Sequence, residues 1–369
     1  MTAAWPSSKK TKRKPHGPRA KHLTSYGASI TGVGFYAPPG ILSNEDLEKL
    51  VDTSDEWIVK RTGMKRRHII GPDGATSDLA VPAAQAALEA AGKKPGEIDC
   101  IICATATPDY LFPAMACLVA ARLGVTGKPA FDISIACSGF IYAMTTAASL
   151  VRSGVYRSVL VIGAETLSKI TDYTDRATCV LFGDGAGAVV IERSQEDNFL
   201  GSDLGADGSD HSVLFLPGGG SRIPFNTNGQ FADQRLGYIK MQGQSVFKVA
   251  VNQMASSARI ALAQAGLSTD DIDFVVPHQA NLRIIDATIK MLGVPPEKCI
   301  INIAEYGNTS AASIPIALAE AVQNGSIRKG HVVVMVAFGG GLSWGAAVWR
   351  WSGARVGKTP VPAGSEATA

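Results

Sequence analysis

Three short stretches of this chain carry side chains that could do acyl chemistry together. In FDISIACSGF (131–140) an apolar run stops at Cys137, and Ser138, Gly139 and an apolar, helix-like segment follow. A cysteine at a helix N-terminus meets unpaired backbone N–H groups and the positive end of the helix dipole, which favour a thiolate. Gly139 leaves room beside the sulfur for a substrate. A nucleophile also needs a base and stabilisers of developing charge. In VVPHQANLR (275–283), His278 directly follows a strand-like run. His16 and His22 lie in a basic N-terminal segment, His331 opens a strand pattern, and His68 and His211 have no comparable setting. In AFGGGLSWG (337–345), three glycines after a buried strand expose backbone N–H groups. One of them could join the Cys137 N–H as an oxyanion hole. No Lys-Ser or Lys-Thr follows, which argues against a phosphate cradle. LPGGGSR (216–222) lacks the preceding strand and reads as loop.

The elements that must position these groups alternate between strand and helix patterns, which predicts an α/β fold. The chain also resembles itself. ALEAAGKKPGEIDCII (87–102) matches ALAQAGLSTDDIDFVV (261–276): each is an amphipathic helix ending at a glycine, a polar turn, Ile-Asp and a strand. RLGV (122–125) echoes MLGV (291–294), and SGVYRSVLVIGAE (153–165) echoes NGSIRKGHVVVMVAFG (324–339). The offset of about 170 residues is too long for a solenoid and predicts two copies of one α/β unit about a pseudo-twofold axis. Near the cysteine an offset close to 171 pairs Cys137 with Asn308 in INIAEYGNTS (301–310). Both positions end a strand and open a helix, and ligands of α/β sheets gather at the carboxyl ends of strands.

These residues resemble the β-ketoacyl-acyl carrier protein synthase III family of the thiolase-like superfamily, over roughly residues 28–352. The motifs are DTSDEWIVKRTGMKRRHI (52–69), ACSGF, FGDGAGA (182–188), HQANLRI (278–284), YGNTSAAS (306–313) and AFGGGLSWG, in the family's order. The resemblance implies a duplicated thiolase-like fold with a layered αβαβα core. Its halves are expected at 28–200, with the nucleophile, and 201–354, with the histidine and asparagine; residues 1–27 and 355–369 are expected to be disordered tails. It implies a triad of Cys137, His278 and Asn308; elongating relatives place a second histidine where Asn308 stands. The N–H groups of Cys137 and Gly340 would hold the oxyanion. Trp57 and Arg176 would sandwich the CoA adenine, Thr53 and Arg61 would contact the nucleotide end, and Asn281 the pantetheine arm. Arg283, with Lys290 on the same helix face, would dock acyl carrier protein. Phe112 would line the acyl pocket of a partner subunit in a homodimer. The implied reaction is decarboxylative condensation of an acyl-CoA starter with malonyl-acyl carrier protein, initiating type II fatty acid synthesis. The alternative is a relative in secondary metabolism with an unusual starter or simple acyl transfer. CoA thioesters are substrates, and no cofactor or metal is expected.

Composition is compatible with this and excludes other classes. The chain has 369 residues, 46% hydrophobic and 18% charged, enough for a large core. No apolar run is long enough to span a membrane and no secretory leader is visible, so a cytoplasmic enzyme is expected. The formal charge of +3 is misleading: residues 1–22 hold seven cations and no acid, which leaves −4 for the rest. This Lys-, Pro- and Ser-rich segment reads as a solvated extension rather than as a nucleic-acid or membrane contact. The six cysteines are scattered, and the lone CxxC of Cys100 and Cys103 lies inside a strand pattern with no second pair, so buried reduced thiols are expected.

Overall fold

Both copies of the repeated segment fold alike. In the computed structural model, which describes residues 26–226 and 228–358, the helices Thr76–Ala90 and Gly243–Gln264 each run out at a glycine. Gly92 and Gly266 take the left-handed conformation, at φ 64° and 70°, that glycine adopts at little cost. A 3-10 turn follows each, and the repeated Ile-Asp then ties that turn to the sheet. Asp99 accepts the N–H of Arg157 and Ser158, and Asp273 accepts that of Val332, so each carboxylate caps the next strand of its own half.

The pairing order is duplicated too. The first sheet runs Arg355–Val356, Gly27–Tyr36, Asp184–Ser194, Ser158–Thr166, Cys100–Ala104, Ala130–Ile133. The second runs Phe199–Ala206, Ser343–Arg350, Val332–Gly339, Phe274–Pro277. In each, two antiparallel ladders lead into a parallel one. A single parallel bridge from Val275 to Cys299 stands where the first sheet has its Ala130–Ile133 strand. The chain passes from one sheet to the other between Ser194 and Phe199.

Five layers result. Thr76–Ala90 and Met115–Leu123 cover the outer face of the first sheet, and Gly243–Gln264 and Leu282–Leu292 that of the second. The helices Gly139–Arg152 and Ser313–Gln323 lie between the sheets in one continuous apolar cluster. A helix buried on every side must be largely apolar, and SIPIALAEAVQ is apolar from Ile314 to Ala319, with Glu320 and Gln323 confined to its last turn. Strands buried on both faces read as unbroken apolar runs, which is why Ser158–Thr166 shows no alternation.

The tail boundaries expected from sequence need correction at both ends: Gly27, placed in the amino-terminal tail, already pairs with Ser194 in the first sheet. Arg355 and Val356 extend the first sheet by pairing with Gly32 and Val33, and Gly357 donates to the Val33 carbonyl. A two-residue edge strand is too short to leave a pattern in the sequence. The basic segment at 1–25 and residues 359–369 lie outside the described residues. Among the described residues, no helix is long and apolar enough to cross a membrane.

Candidate active site

Ahead of each central helix the chain makes one 3-10 turn, Ala136–Ser138 in the first half and Ser310–Ala312 in the second. Ala136 (φ 47°) and Ser310 (φ 48°) open these turns and are the two non-glycine residues with positive φ among the described ones. Such a conformation costs about 1–3 kcal/mol and persists where surrounding contacts impose it. The two turns touch each other. Matched through these residues, Cys137 stands opposite Ala311, not opposite Asn308 as the sequence offset suggests. The gaps between the repeats fall in the strand-to-helix loops, where similarity carries no register. Asn308 nevertheless lies just upstream on the same turn, within reach of the same space.

That space is a cavity of about 800 Å³ whose lining includes Cys137, His278, Asn308, Ser310 and Gly340, with Trp57, Arg61, Asn281 and Arg283 toward its mouth. Each reactive group is aimed by a local device. His278 follows the strand Phe274–Pro277 and donates its backbone N–H to the Val336 carbonyl at 2.8 Å, which continues the ladder by one residue. Its Nδ1 is hydrogen-bonded to Ser313 Oγ at 2.6 Å. Burial alone pushes the imidazole down to about 3, so it is neutral at physiological pH. Asn308 is bridged to Phe182 of FGDGAGA, and its Oδ1 accepts the Ser310 N–H at 2.9 Å. With Oδ1 engaged there, the amide's donor end is the one available to the cavity.

Arg67 supports this bridge from below, and it was not anticipated from sequence. It is fully buried and donates to the Val180 carbonyl and to Asn44 Oδ1. Burial lowers its guanidinium to about 10, three units above neutrality, so it stays charged. Its stem packs against the backbone of Gly183 and Gly307, the residues flanking the Phe182–Asn308 bridge.

Cys137 departs from expectation in one respect. Burial pushes its thiol up to about 12, against an opposing hydrogen bond from Ser310. A helix terminus favours a thiolate, but removal from water outweighs it here, and the resting group is a thiol. The glycine turn packs directly on this residue: a Cβ added to Gly339 would lie 2.7 Å from the Cys137 nitrogen and 3.1 Å from its Cβ. Ser343 Oγ lies 3.3 Å from the Ile135 carbonyl, 3.2 Å from Ser138 Oγ and 3.0 Å from the Gly340 carbonyl, which ties the two turns together. Gly339→Ala should therefore destabilise the fold by about 1–3 kcal/mol and displace the turn that carries Cys137. Thermal unfolding and covalent labelling of Cys137 check this; an unchanged melting point and labelling rate would show that the close approach is dispensable.

At the mouth, Trp57 and Arg61 share the helix Asp55–Thr62. The Arg176 guanidinium lies 5.1 Å from the Trp57 ring centroid and is held by the Asp52 carbonyl at 2.8 Å. A base between two stacked faces needs roughly 7 Å. The Arg176 guanidinium thus sits too close to the Trp57 ring to admit a base, and the expected sandwich requires it to swing off the ring. Thr53 Oγ1 is buried without a hydrogen-bond partner. Asn281 caps the helix Leu282–Leu292 and donates to the Arg61 carbonyl at 3.1 Å, which joins the two sides of the mouth. Arg283 and Lys290 are exposed on that helix, as expected, but exposed Asp286 lies between them on the same face and weakens it as a basic surface. Phe112 is 85% exposed, beside exposed Tyr110 and Leu111, and does not line the cavity of its own chain. Among the described residues no cluster of His, Cys, Asp or Glu could hold a metal ion. All six cysteines are free thiols.

Two sheets, two central helices and a cysteine, histidine and asparagine around one cavity define a thiolase-like condensing enzyme. Two family models match: 3-oxoacyl-[acyl-carrier-protein] synthase III over residues 131–208 and its C-terminal counterpart over residues 262–351. The β-ketoacyl-[acyl-carrier-protein] synthase III of Caldanaerobacter subterraneus is 53% identical over 326 residues, covering 88% of this chain and 98% of that protein. That of Desulfitobacterium hafniense is 51% identical over 324 residues, covering 88% and 97%. The crystal structure of the Aquifex aeolicus synthase III superposes with a TM-score of 0.81 at 48% identity, covering 88% of this chain and all of that one. The chain belongs to the β-ketoacyl-acyl carrier protein synthase III family, the acyl-transferring condensing enzymes that initiate fatty acid synthesis.

Proposed function

We propose that this enzyme condenses a short acyl-CoA starter with malonyl-acyl carrier protein, giving 3-ketoacyl-acyl carrier protein, CoA and CO2. The observation that carries this reading is the single cavity joining Cys137, His278, Asn308 and Gly340 to the mouth at Trp57 and Arg61. Cys137 attacks the acyl-CoA carbonyl while the N–H groups of Cys137 and Gly340 take the developing oxyanion. CoA leaves, and the malonyl thioester enters. Loss of CO2 places charge on the thioester oxygen, where the Asn308 amide and the His278 ring donate hydrogen bonds. With Ser313 donating to Nδ1, the neutral imidazole carries its proton on Nε2, toward the cavity. The carbanion attacks the acyl-cysteine and expels the Cys137 thiolate, which takes a proton from solvent to restore the resting thiol. Decarboxylation generates the nucleophile, so no metal or cofactor is needed.

The charged and aromatic mouth suits a CoA nucleotide: Trp57 offers a stacking face once Arg176 moves, Arg61 meets the nucleotide end, Thr53 would join it only if its buried hydroxyl were uncovered, and Asn281 meets the pantetheine arm. Arg283, and less so Lys290, would meet an acidic carrier protein. The exposed Tyr110–Phe112 apolar patch fits a homodimer in which Phe112 reaches the partner's acyl pocket, in a cytoplasmic enzyme. Trp57→Ala should raise KM for acyl-CoA about tenfold with kcat little changed, since stacking is lost equally from ground and transition states. Steady-state kinetics check it, and an unchanged KM removes Trp57 from the CoA site.

The whole reading is tested by offering a panel of acyl-CoA starters, with and without malonyl-acyl carrier protein, and reading intact-protein mass. Acylation at Cys137 followed by a carrier-bound 3-ketoacyl product supports it. Acylation with no carbon–carbon bond formation refutes it. The preferred starter also separates it from the alternative of a secondary-metabolism enzyme with an unusual starter, which one neighbour favours. The priming β-ketosynthase of the R1128 polyketide pathway is 35% identical, with a TM-score of 0.84, covering 91% of this chain and all of that one.

A further inference from the structure

The oxyanion hole proposed above takes its two N–H groups from different halves of the chain, and one buried hydroxyl stands between them. The second N–H comes from a turn that has no side chain with which to anchor itself. Gly339 packs on Cys137, a Cβ on Gly340 would lie 2.9 Å from the Leu214 carbonyl oxygen, and Gly341 holds φ at 140°. Glycine has more backbone freedom to lose than any other residue, so the register of this turn must be imposed by its surroundings. Leu342 is fixed by two backbone hydrogen bonds with Asp207, each 2.8 Å. The next residue, Ser343, opens the strand Ser343–Arg350 and pairs across the turn with Gly339. It is the first residue past the glycines with a polar side chain.

Ser343 and Ser138 are both fully buried. The Ser343 Oγ lies 3.0 Å from the Gly340 carbonyl, 3.3 Å from the Ile135 carbonyl and 3.2 Å from Ser138 Oγ. These partners bracket the oxyanion hole. Ile135 and Ser138 flank the Ala136–Cys137 peptide, which carries the first N–H, and Gly340 carries the second. Ser343 has one hydrogen to give and shares it among three acceptors, so all three are held at hydrogen-bond distance from one oxygen. Neither serine lines the cavity, so any effect of Ser343 on a substrate passes through the two turns.

We propose that Ser343 is a positioning residue for acyl transfer, holding the Gly340 N–H in register with the Cys137 N–H so that both meet one oxygen. In acylation the Cys137 sulfur bonds the acyl carbon, the thiol proton passes to solvent, and the carbonyl electron pair moves to oxygen, where the two N–H groups receive it. Collapse of this intermediate breaks the carbon–sulfur bond to CoA, whose thiolate takes a proton from solvent. Condensation builds a second such oxyanion on the acyl-cysteine carbonyl. Decarboxylation does not, because its charge develops on the malonyl thioester oxygen, which His278 and Asn308 meet. Ser343 therefore acts on acylation and condensation and leaves decarboxylation alone. This role rests on the acyl-cysteine reading above.

The test compares these steps on the intact enzyme. Ser343→Ala should slow acetylation of Cys137, by acetyl-CoA or by p-nitrophenyl acetate, about ten- to a hundredfold, with KM for acetyl-CoA within about twofold of wild type. Condensation should slow by a similar factor. Iodoacetamide alkylation of Cys137 displaces iodide at a saturated carbon and forms no oxyanion, so its rate should stay within about twofold. Carbon dioxide release from malonyl-acyl carrier protein in the Cys137→Ala background should be equally insensitive to Ser343→Ala. Loss of structure alone would move all four rates together. Ser138→Ala removes one of the three partners, should show the same pattern, and decides the matter if Ser343→Ala fails to fold. A folded variant of either kind with the wild-type acetylation rate overturns the proposal. So does alkylation slowed as much as acetylation, or a wild-type Cys137 inert to both acetyl donors. The expected pattern with p-nitrophenyl acetate, while acetyl-CoA leaves Cys137 unmodified, would refute the acyl-CoA reading and keep the role of Ser343.

Discussion

Replacing Cys137 by alanine should abolish acyl-enzyme formation and condensation, while malonyl decarboxylation continues. On the proposed mechanism the sulfur carries the acyl group, and no other thiol in the cavity could substitute for it. Cys100, Cys103 and Cys179 are fully buried with their thiols pushed above the ordinary value, Cys103 the furthest, and Cys299 is pushed up to about 12. None of these four lines the cavity, and neither does exposed Cys117. Alanine preserves the backbone of the strained turn, and with it the Cys137-position N–H and the contact with Gly339. His278 and Asn308, the donors proposed for decarboxylation, sit on other elements and are unaffected. Intact mass after incubation with acyl-CoA should show no adduct, and carbon dioxide release from malonyl-acyl carrier protein should persist. A stable acyl adduct in the variant would place the nucleophile elsewhere.

His278→Ala should show the opposite pattern: acylation of Cys137 within about tenfold of wild type, but condensation slowed about 10²- to 10³-fold. Removing one donor from a developing oxyanion costs roughly that much in a dry site. Because burial holds the imidazole near 3, its charge does not change between about pH 5 and 8. Decarboxylation measured in the Cys137→Ala background should therefore be flat across that window. A limb titrating near the ordinary histidine value would show that the ring is solvated during turnover. Asn308→Ala also removes the acceptor for the Ser310 N–H and so disturbs the positive-φ turn. Asn308→Asp retains that acceptor while losing the donor, and should slow condensation at least as much. Undiminished condensation in Asn308→Asp would take the amide out of the mechanism.

The sequence alone determined the repeating unit and the chemistry within it. Helix ends, glycine caps, the Ile-Asp turns and the apolar strands are set by residues within about fifteen positions of one another, so they leave a readable pattern. The duplication made the two halves legible, and the motifs carried Cys137, His278 and Asn308 by resemblance. Register across the strand-to-helix loops was not readable, which is why Cys137 pairs with Ala311. Tertiary structure alone decided the protonation of the site. Whether Cys137 rests as a thiol and whether His278 is neutral both depend on how far the folded halves exclude water from the cavity. Ser313 and Arg67 act across contacts between segments far apart in the chain, and no local pattern marks them. Desolvation belongs to the closed cavity rather than to any one residue, and a linear chain cannot display it.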